Sequence, residues 1–373
     1  MIILHIAPIN MTRANGFRFS VPGLVSAQSK ISGIKPALLN VSDIRELDEE
    51  EVESFDFDFT SEYKPIDELD EPYNNPDIVV FHGVYITKYI HIYKKLLKRN
   101  IPYIIVPRVS LTLGAQKQKR LKKIFGNALL FNRFINNASS IHYLTNNEMK
   151  LSSAFRQKHF IVGNGVHIPQ AYAKKTDKGR NITFIGRYDI NHKGLDILVE
   201  SLRYVKKELN QYNSTIGLFG SDYDGGQNYL ENKISEYGLE DICTVHSPVF
   251  GEPKRKVLMD TDIFICPSRF EGHPMAVIEA MAYGIPCILT DGTNMLDVLE
   301  IYDAGWTATL DARDLAQVIL SAVGDKDAIY AKGQNARRLA EENYSWEQIA
   351  EQTVGYYSQL LETHVSHSAM ADI

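Results

Sequence analysis

Short apolar, β-branched runs alternate with helix-patterned stretches along this chain, and they do so in two sets. In the first set the strand candidates are Ile2–Ile6, Pro36–Asn40, Asp77–His82, Tyr103–Pro107, Ser140–Leu144 and His159–Val162, with helical patterns such as Ala115–Asn136 between them. In the second set they are Ile182–Ile185, Thr215–Phe219, Thr244–His246, Ile263–Cys266 and Pro286–Leu289. A strand followed by a helix and then another strand builds a parallel sheet covered on its faces by helices. At 373 residues the chain is long for one domain, so two sets read as two Rossmann-like, doubly wound α/β domains. The expected boundaries are 1–168 for the first domain and 181–344 for the second, with a polar linker over 169–180 around Gln170-Ala-Tyr-Ala-Lys-Lys. Ser345-Trp-Glu-Gln348 is a capping box that opens a last helix over 345–362, and the polar residues 363–373 read as a mobile tail. A ligand is expected in the cleft between two such domains.

Composition removes several classes of function. No apolar stretch is long enough to span a bilayer. The start, Met1-Ile-Ile-Leu-His-Ile-Ala, lacks a basic leader and reads as a first strand, not a signal peptide. Three scattered cysteines, Cys243, Cys266 and Cys287, have neither metal nor redox spacing, which suits buried thiols in a cytoplasmic protein. A net charge of −6 argues against a general nucleic-acid binder. Charge is nonetheless uneven. Residues 43–58 are densely acidic, whereas Lys117-Gln-Lys-Arg-Leu-Lys-Lys123 holds five basic residues in seven, downstream of Lys94, Lys95, Lys98 and Arg99. Such a run is a solvated face, or it attracts an anionic lipid surface or a phosphorylated acceptor.

Four features in the second half carry chemistry. The acidic pair Glu271 and Glu279, eight residues apart, follows the strand ending at Cys266 and leads into a helix that Pro274 can open and Gly284 can stop. Eight helical residues rise roughly 12 Å. Carboxylates that far apart cannot share a proton, but they can hold the two ends of a long ligand, with the helix N-terminus between them favouring an anion. In Phe184-Ile-Gly-Arg-Tyr-Asp-Ile-Asn-His-Lys193, a strand ends at Gly186, and Arg187 and Lys193 then lie on the loop beyond it. Two cations there can neutralise a diphosphate. Gly220-Ser-Asp-Tyr-Asp-Gly-Gly226 is a small-residue loop after a strand, and Ser247-Pro-Val-Phe-Gly-Glu-Pro253 is a turn placed to frame a base.

The order Gly-Arg…Lys-Gly-Leu-Asp, Val-Phe-Gly, then Pro-Ser-Arg-Phe-Glu-Gly-His-Pro-Met-Ala-Val-Ile-Glu-Ala resembles the retaining glycosyltransferases of family 4, which have the GT-B fold, over residues 160–310. The resemblance implies that Glu271 holds hydroxyls of a donor sugar, beside Gly272 and the backbone of His273, Pro274 and Met275. Glu279 would hold the nucleotide ribose, and Arg187 and Lys193, after Gly186, would bind the departing diphosphate. Val249 would touch the base through its backbone. Gly16, in Arg13-Ala-Asn-Gly-Phe-Arg-Phe-Ser20, resembles the family's glycine loop near the phosphates. The first half matches more loosely. Pro107-Arg-Val-Ser resembles the segment where relatives have Pro-His-Gly or Pro-Arg-Gly, so Arg108 stands as an acceptor-binding residue and Val109 replaces the glycine. His82, ending a strand in Val79-Val-Phe-His-Gly, is then the candidate active-site histidine, against the alternative of a structural residue. His192 reads as a solvent-facing loop histidine.

Other signals fail. Asp56-Phe-Asp58 and Asp222-Tyr-Asp224 fit a loose metal-binding pattern common by chance, and the resemblance implies neither metal nor cofactor. Gly163-Asn-Gly165 lacks a dinucleotide fingerprint's third glycine, and neither a Walker loop nor a Gly-x-Ser-x-Gly elbow occurs. The expectation is a GT-B hexosyltransferase that is retaining and metal-independent. It would carry a hexose from a nucleoside-diphosphate sugar, with uridine the expected base, to a glycan acceptor. A lipid-linked acceptor in surface polysaccharide synthesis is preferred, with peripheral contact at the inner face of the membrane. A soluble acceptor, a non-catalytic nucleotide-sugar binder, and an epimerase or phosphorylase on the same fold are the competing readings.

Overall fold

The computed structural model describes residues 1–9, 16–42, 55–117, 130–152, 154–155, 157–170 and 180–371. The chain divides into two compact units, residues 1–165 with 346–373, and residues 166–345. Each unit is built on one parallel sheet.

In the first unit the elements are β1 (Ile2–Ala7), α1 (Gly16–Ser29), β2 (Lys35–Asn40), β3 (Asp58–Thr60), β4 (Ile78–His82), α2 (Thr87–Lys98), β5 (Tyr103–Val106), α3 (Leu113–Lys117), α4 (Asn132–Asn136), β6 (Ser140–Tyr143), α5 (Asn146–Leu151) and β7 (His159–Ile161). The second unit runs β8 (Arg180–Ile185), α6 (Ile190–Lys193), α7 (Leu195–Gln211), β9 (Ser214–Phe219), α8 (Gly226–Glu236), β10 (Cys243–His246), α9 (Gly251–Met259), β11 (Ile263–Cys266), α10 (Met275–Ala282), β12 (Cys287–Thr290), α11 (Leu296–Tyr302), β13 (Gly305–Ala308), α12 (Ala312–Gly324) and α13 (Lys326–Asn343). The last helix, α14 (Trp346–Ala371), belongs to the first unit.

Among the described residues the first sheet has seven strands in the order β3-β2-β1-β4-β5-β6-β7, and the second has six in the order β10-β9-β8-β11-β12-β13. Both orders reverse after their first strand, so the crevices that take ligands in such sheets lie at the carboxyl ends of β1 and β4 and of β8 and β11. The strands are buried on both faces, and the side-chain period of two divides them between two cores. Val79 and Phe81 join the cluster with Tyr89 and Phe134, while Ile78 and Val80 join the one with Trp346 and Tyr357. Ile263 and Ile265 pack with Leu198 and Ile319, while Phe264 and Cys266 pack with Val277 and Met281. Each aliphatic or aromatic side chain so buried contributes about 1.5–3 kcal/mol.

Three expectations change. The first boundary falls at Gly165–Val166, earlier than residue 168, because Val166 packs in the second unit's core and its N–H donates to the Tyr344 carbonyl at 2.7 Å. The last helix does not stop at Glu362 but continues to Ala371, since nothing in Thr363-His-Val-Ser-His-Ser-Ala-Met breaks a helix. Its apolar stripe, Ile349, Ala350 and Tyr357, is buried against the first unit. The edge strands β3 and β13 were not among the strand candidates. Of the linker, 171–179 lie outside the described residues, as do 43–54 of the acidic run and 118–123 of the basic segment. All three cysteines are buried and unpaired.

Candidate functional site

The most developed cluster sits where the second sheet reverses, at the carboxyl ends of β8 and β11. After β8 the chain makes one short turn, α6, capped by the Asp189 side chain, which accepts from the His192 N–H at 3.1 Å. Gly194 ends that turn at φ 64°. A Cβ there would stand 2.0 Å from the Pro267 carbonyl oxygen, so only glycine lets this turn lie against the segment after β11. Arg269 locks the two segments together. Its N–H donates to the His192 carbonyl at 3.0 Å, its guanidinium donates to the Asn191 carbonyl at 2.8 Å, and it forms a two-pronged pair with Asp196 at 2.7 Å. Such a planar fork fixes orientation as well as distance.

That clamp brings Lys193 to Glu271. The Lys193 ammonium lies 2.5 Å from Oε1 of Glu271, with side chains only 17% and 10% exposed. Ser268 donates to the same oxygen at 2.7 Å. The Glu271 N–H donates to the Gly292 carbonyl at 2.7 Å, and the Asn294 amide donates to the Glu271 carbonyl. The Cys266 thiol also reaches Oε1, at 3.9 Å, so all three carboxylate partners among the described residues use that oxygen and none uses Oε2. Gly292 is needed at close quarters, since a Cβ there would meet the Ser268 carbonyl oxygen at 2.2 Å.

Glu271 thus lies on the loop after β11 and Glu279 on α10, as the spacing predicts, with Pro274 immediately before the first helical residue, Met275. Glu279 is ion-paired with Lys254 of α9. Arg187 is exposed beyond β8, and its guanidinium lies 4.9 Å from the Tyr223 ring centre on the loop after β9. It has no carboxylate partner among the described residues. Gly186 directly follows the same strand, with its N–H on the Phe219 carbonyl at 3.0 Å. Val249 lies half-buried between β10 and α9, also at the carboxyl end of the sheet. His273 lies 5.8 Å from Tyr344, ring centre to ring centre, while Gly272 lies between Glu271 and α10. His192, read as solvent-facing, packs edge-on to Phe270 at 5.5 Å.

The structure keeps His82 and Arg108 together in the first unit. His82 is fully buried at the end of β4, with Nε2 at 3.0 Å from Nδ1 of His5 and Nδ1 at 3.4 Å from an Arg108 nitrogen. Nε2 of His5 reaches Gln28 at 2.8 Å, and Gln28 donates to Thr353 of the last helix at 2.9 Å. Arginine can only donate. The direction therefore runs from Arg108 to His82 to His5 to Gln28, which requires both imidazoles to be neutral. Burial, with Arg108 nearby, lowers His5 to about 4 and holds His82 well below the usual histidine value. Arg108 itself is lowered to about 10 by burial, while the Glu148 carboxylate works the other way. It is seated by Ser20 at 2.8 Å and by the Phe17 ring, whose centre lies 5.3 Å away. Gly16 is the first residue of α1, and residues 10–15 of its loop lie outside those described.

Sequence reasoning did not assign Ser268, Arg269, Asp196, Asn294, Gly292 or Lys254. Ser268 and Arg269 lay inside the recognised string, and their proximity to Glu271 was the available signal. Asp196 closes the recognised Lys-Gly-Leu-Asp motif, whereas Asn294, Gly292 and Lys254 become visible only when segments distant in sequence are brought together. Among the described residues no group of three metal-ligating side chains occurs, and neither Asp-x-Asp pair forms one. Asp58 accepts from Tyr73, and Asp222 accepts the N–H of Gln227.

Residues 179–325 match the family model described as Glycosyl transferases group 1. Over 208 residues the chain is 27% identical to the GDP-mannose:cellobiosyl-diphosphopolyprenol alpha-mannosyltransferase of Xanthomonas oryzae pv. oryzae, covering 54% of this chain and 53% of that one. Over 165 residues it is 31% identical to the putative colanic acid biosynthesis glycosyltransferase WcaL of Escherichia coli, covering 42% and 40%. The chain thus spans about half the length, or less, of these curated relatives. Anabaena HepE, solved in complex with UDP, superposes with a TM-score of 0.73 at 15% identity, over 96% of this chain and all of that one, a likeness of fold.

Proposed function

We propose, from a chain whose residues 179–325 match the Glycosyl transferases group 1 model, that this protein transfers a hexose from a nucleoside-diphosphate sugar to a glycan hydroxyl with retention of configuration. The observation that carries the reading is Glu271 at the reversal of the second sheet, its Oε1 held by Lys193 and Ser268 and no partner on its Oε2 among the described residues. In this account Glu271 takes sugar hydroxyls and Glu279 takes the ribose. Arg187, Lys193 and the N-terminus of α10 face the diphosphate between them, beside Gly186, Gly272 and the backbone of His273, Pro274 and Met275. The base lies against the backbone at Val249.

The bond from the anomeric carbon to the diphosphate oxygen breaks as the acceptor oxygen bonds to the same face of that carbon. The acceptor proton passes to the departing phosphate oxygen. Positive charge for the leaving group comes from Arg187, Lys193 and the helix N-terminus, so the proposed chemistry requires no metal or cofactor. Glu271 is not a nucleophile in this scheme, because its carboxylate is engaged in ion pairing and hydroxyl binding. His82 does not touch substrate either. It seats Arg108, which contacts the acceptor.

HepE was solved with UDP, which favours a UDP-sugar donor, while the Xanthomonas relative is named for GDP-mannose. That relative's diphosphopolyprenol-linked substrate supports a lipid-linked acceptor in polysaccharide synthesis, reached from the cytoplasmic side with peripheral membrane contact. None of the helices in the described residues is long and apolar enough to cross a membrane. A thermal-shift panel of UDP-, GDP-, ADP- and dTDP-sugars tests the donor site. One sugar nucleotide at a hundred times its Kd should stabilise the protein by about 2.7 kcal/mol, and no shift with any of them rejects the reading. Flotation with anionic vesicles at low salt tests the lipid-linked acceptor against a soluble one.

A further inference from the structure

The edge of the second sheet farthest from β10 carries an open surface cavity lined by none of the residues assigned to the transfer reaction. It has a volume of about 460 Å³ and lies between the end of α11, the outer strand β13 and one face of α12. That size falls within the roughly 300–1,000 Å³ of small-molecule sites. Its lining combines one indole, Trp306, with Glu300, Thr307, Gln317 and Ser321. Those four polar side chains make no hydrogen bond or ion pair among the described residues. The remaining charges at the rim are settled. Lys332 is ion-paired with Asp303, and its ammonium lies 5.5 Å from the centre of the Trp306 ring.

We infer that this cavity is an accessory binding site for an uncharged hexose oligosaccharide, separate from the donor site. A flat indole packs against the C–H face of a pyranose, as aromatic side chains with an apolar body do at interfaces. A carboxylate, an amide and two hydroxyls, none of them committed to the protein, supply the directional partners that sugar hydroxyls need. A nucleotide fits poorly, because no Lys or Arg lines the site among the described residues and Glu300 repels phosphate. A uronate chain is disfavoured for the same reason. The choice of a glycan rests on the transferase reading. If the acceptor is a growing chain, a second site on the enzyme raises its effective concentration without any new contact at the reacting centre.

The chain has two tryptophans, and Trp346 is only 5% exposed, so Trp306 is the reporter of this cavity. Tryptophan emission is followed during titration with cellotetraose, maltotetraose, α-mannotetraose and tetragalacturonate to millimolar concentrations. At least one neutral tetrasaccharide should give a saturable change that the Trp306→Phe variant loses. The midpoint should rise about threefold or more in Glu300→Ala and Gln317→Ala, both at exposed positions whose replacement leaves the fold intact. No saturable change with any neutral tetrasaccharide, a midpoint that neither substitution moves, or equal binding of tetragalacturonate overturns the inference. Thermal shifts with UDP-glucose and GDP-mannose run on the same variants keep the two readings apart. Donor shifts without glycan binding reject the accessory site alone, and glycan binding without any donor shift rejects the transferase reading.

Discussion

Lys193 and Glu271 stand 78 residues apart in the chain, and the ammonium of one lies 2.5 Å from the carboxylate of the other. The pair joins the turn after β8 to the loop after β11, across the point where the strand order reverses. Glu271→Gln leaves Lys193 largely buried without its counter-charge. Loss of one partner from a buried pair costs about 3 kcal/mol at the lower end of the range. Lys254→Ala, which breaks the more exposed pair with Glu279, should cost about 1 kcal/mol or less. Urea denaturation of the two variants checks the order. Equal losses would mean that burial does not set the strength of the Lys193–Glu271 pair.

In turnover, Arg187→Ala and Lys193→Ala should each lower kcat by about 10²–10³, the loss that accompanies removal of one charge-stabilising donor. Because they act on the leaving group, donor binding should weaken less than turnover falls. Steady-state kinetics with the donor found by thermal shift gives both numbers, and near-normal kcat in both variants would reject their assigned role.

Gly292→Ala is a test of positioning without any change of charge. The new methyl would lie against the Ser268 carbonyl and the Arg269 backbone, and it would displace the segment that presents Glu271. Donor-induced thermal stabilisation should fall sharply, whereas Gly355→Ala, at a helical position where an added Cβ meets nothing within 4 Å, should leave it intact. A donor shift of wild-type size in Gly292→Ala would show that this close approach does not set the position of Glu271.

Arg108 and Val109 both have left-handed backbone, at φ 50° and 64°. Val109 replaces the glycine of the related motif, yet the backbone conformation is one that glycine favours. Left-handed geometry costs an L-residue about 1–2 kcal/mol, and glycine's extra chain entropy gives back about 0.5–1 kcal/mol. Val109→Gly should therefore stabilise the protein by up to about 1 kcal/mol, read as a higher urea midpoint. A lower midpoint would place the dominant effect in the packing of the valine side chain.

The neutral histidines set an acid limit on stability. His5 and His142 are lowered to about 4, chiefly by burial, and His82 lies lower than its ordinary value for the same reason. In the unfolded chain they titrate near 6.5. Below that pH the unfolded state takes up protons that the folded state refuses, so stability is full above about 6.5 and falls as pH drops toward 4. Each histidine contributes a slope of about 1.4 kcal/mol per pH unit within that window. Urea midpoints from pH 7 to 4.5 measure the slope, and His142→Gln should make it shallower. An unchanged slope would assign the acid sensitivity to other groups.

The central strands and the donor string were legible because their signals are local. Ile263–Cys266 is apolar at every position, and Glu271, Pro274 and Glu279 lie within one loop and the helix beside it. The edge strands were not legible. Gly305-Trp-Thr-Ala is short and half-buried, and Asp58-Phe-Thr sits in an acidic run, so neither shows the apolar run of a central strand. The partners of the site residues were hidden for another reason. Lys254 is 25 residues from Glu279 and Ser268 only three from Glu271, but which side chain meets which carboxylate depends on the turn fixed by Gly194 and the clamp of Arg269 on Asp196. His82 was ambiguous because a strand-end histidine can face a ligand or a core, and its burial against His5 depends on a strand 77 residues away.

The most direct test of the account is proton NMR of the protein with its preferred sugar nucleotide and no acceptor, where water can take the acceptor's place. The account predicts slow appearance of the nucleoside diphosphate together with an equal amount of free hexose that first appears with the donor's anomeric configuration. A hexose that first appears inverted, an epimerised sugar nucleotide, or a sugar phosphate in its place would contradict it.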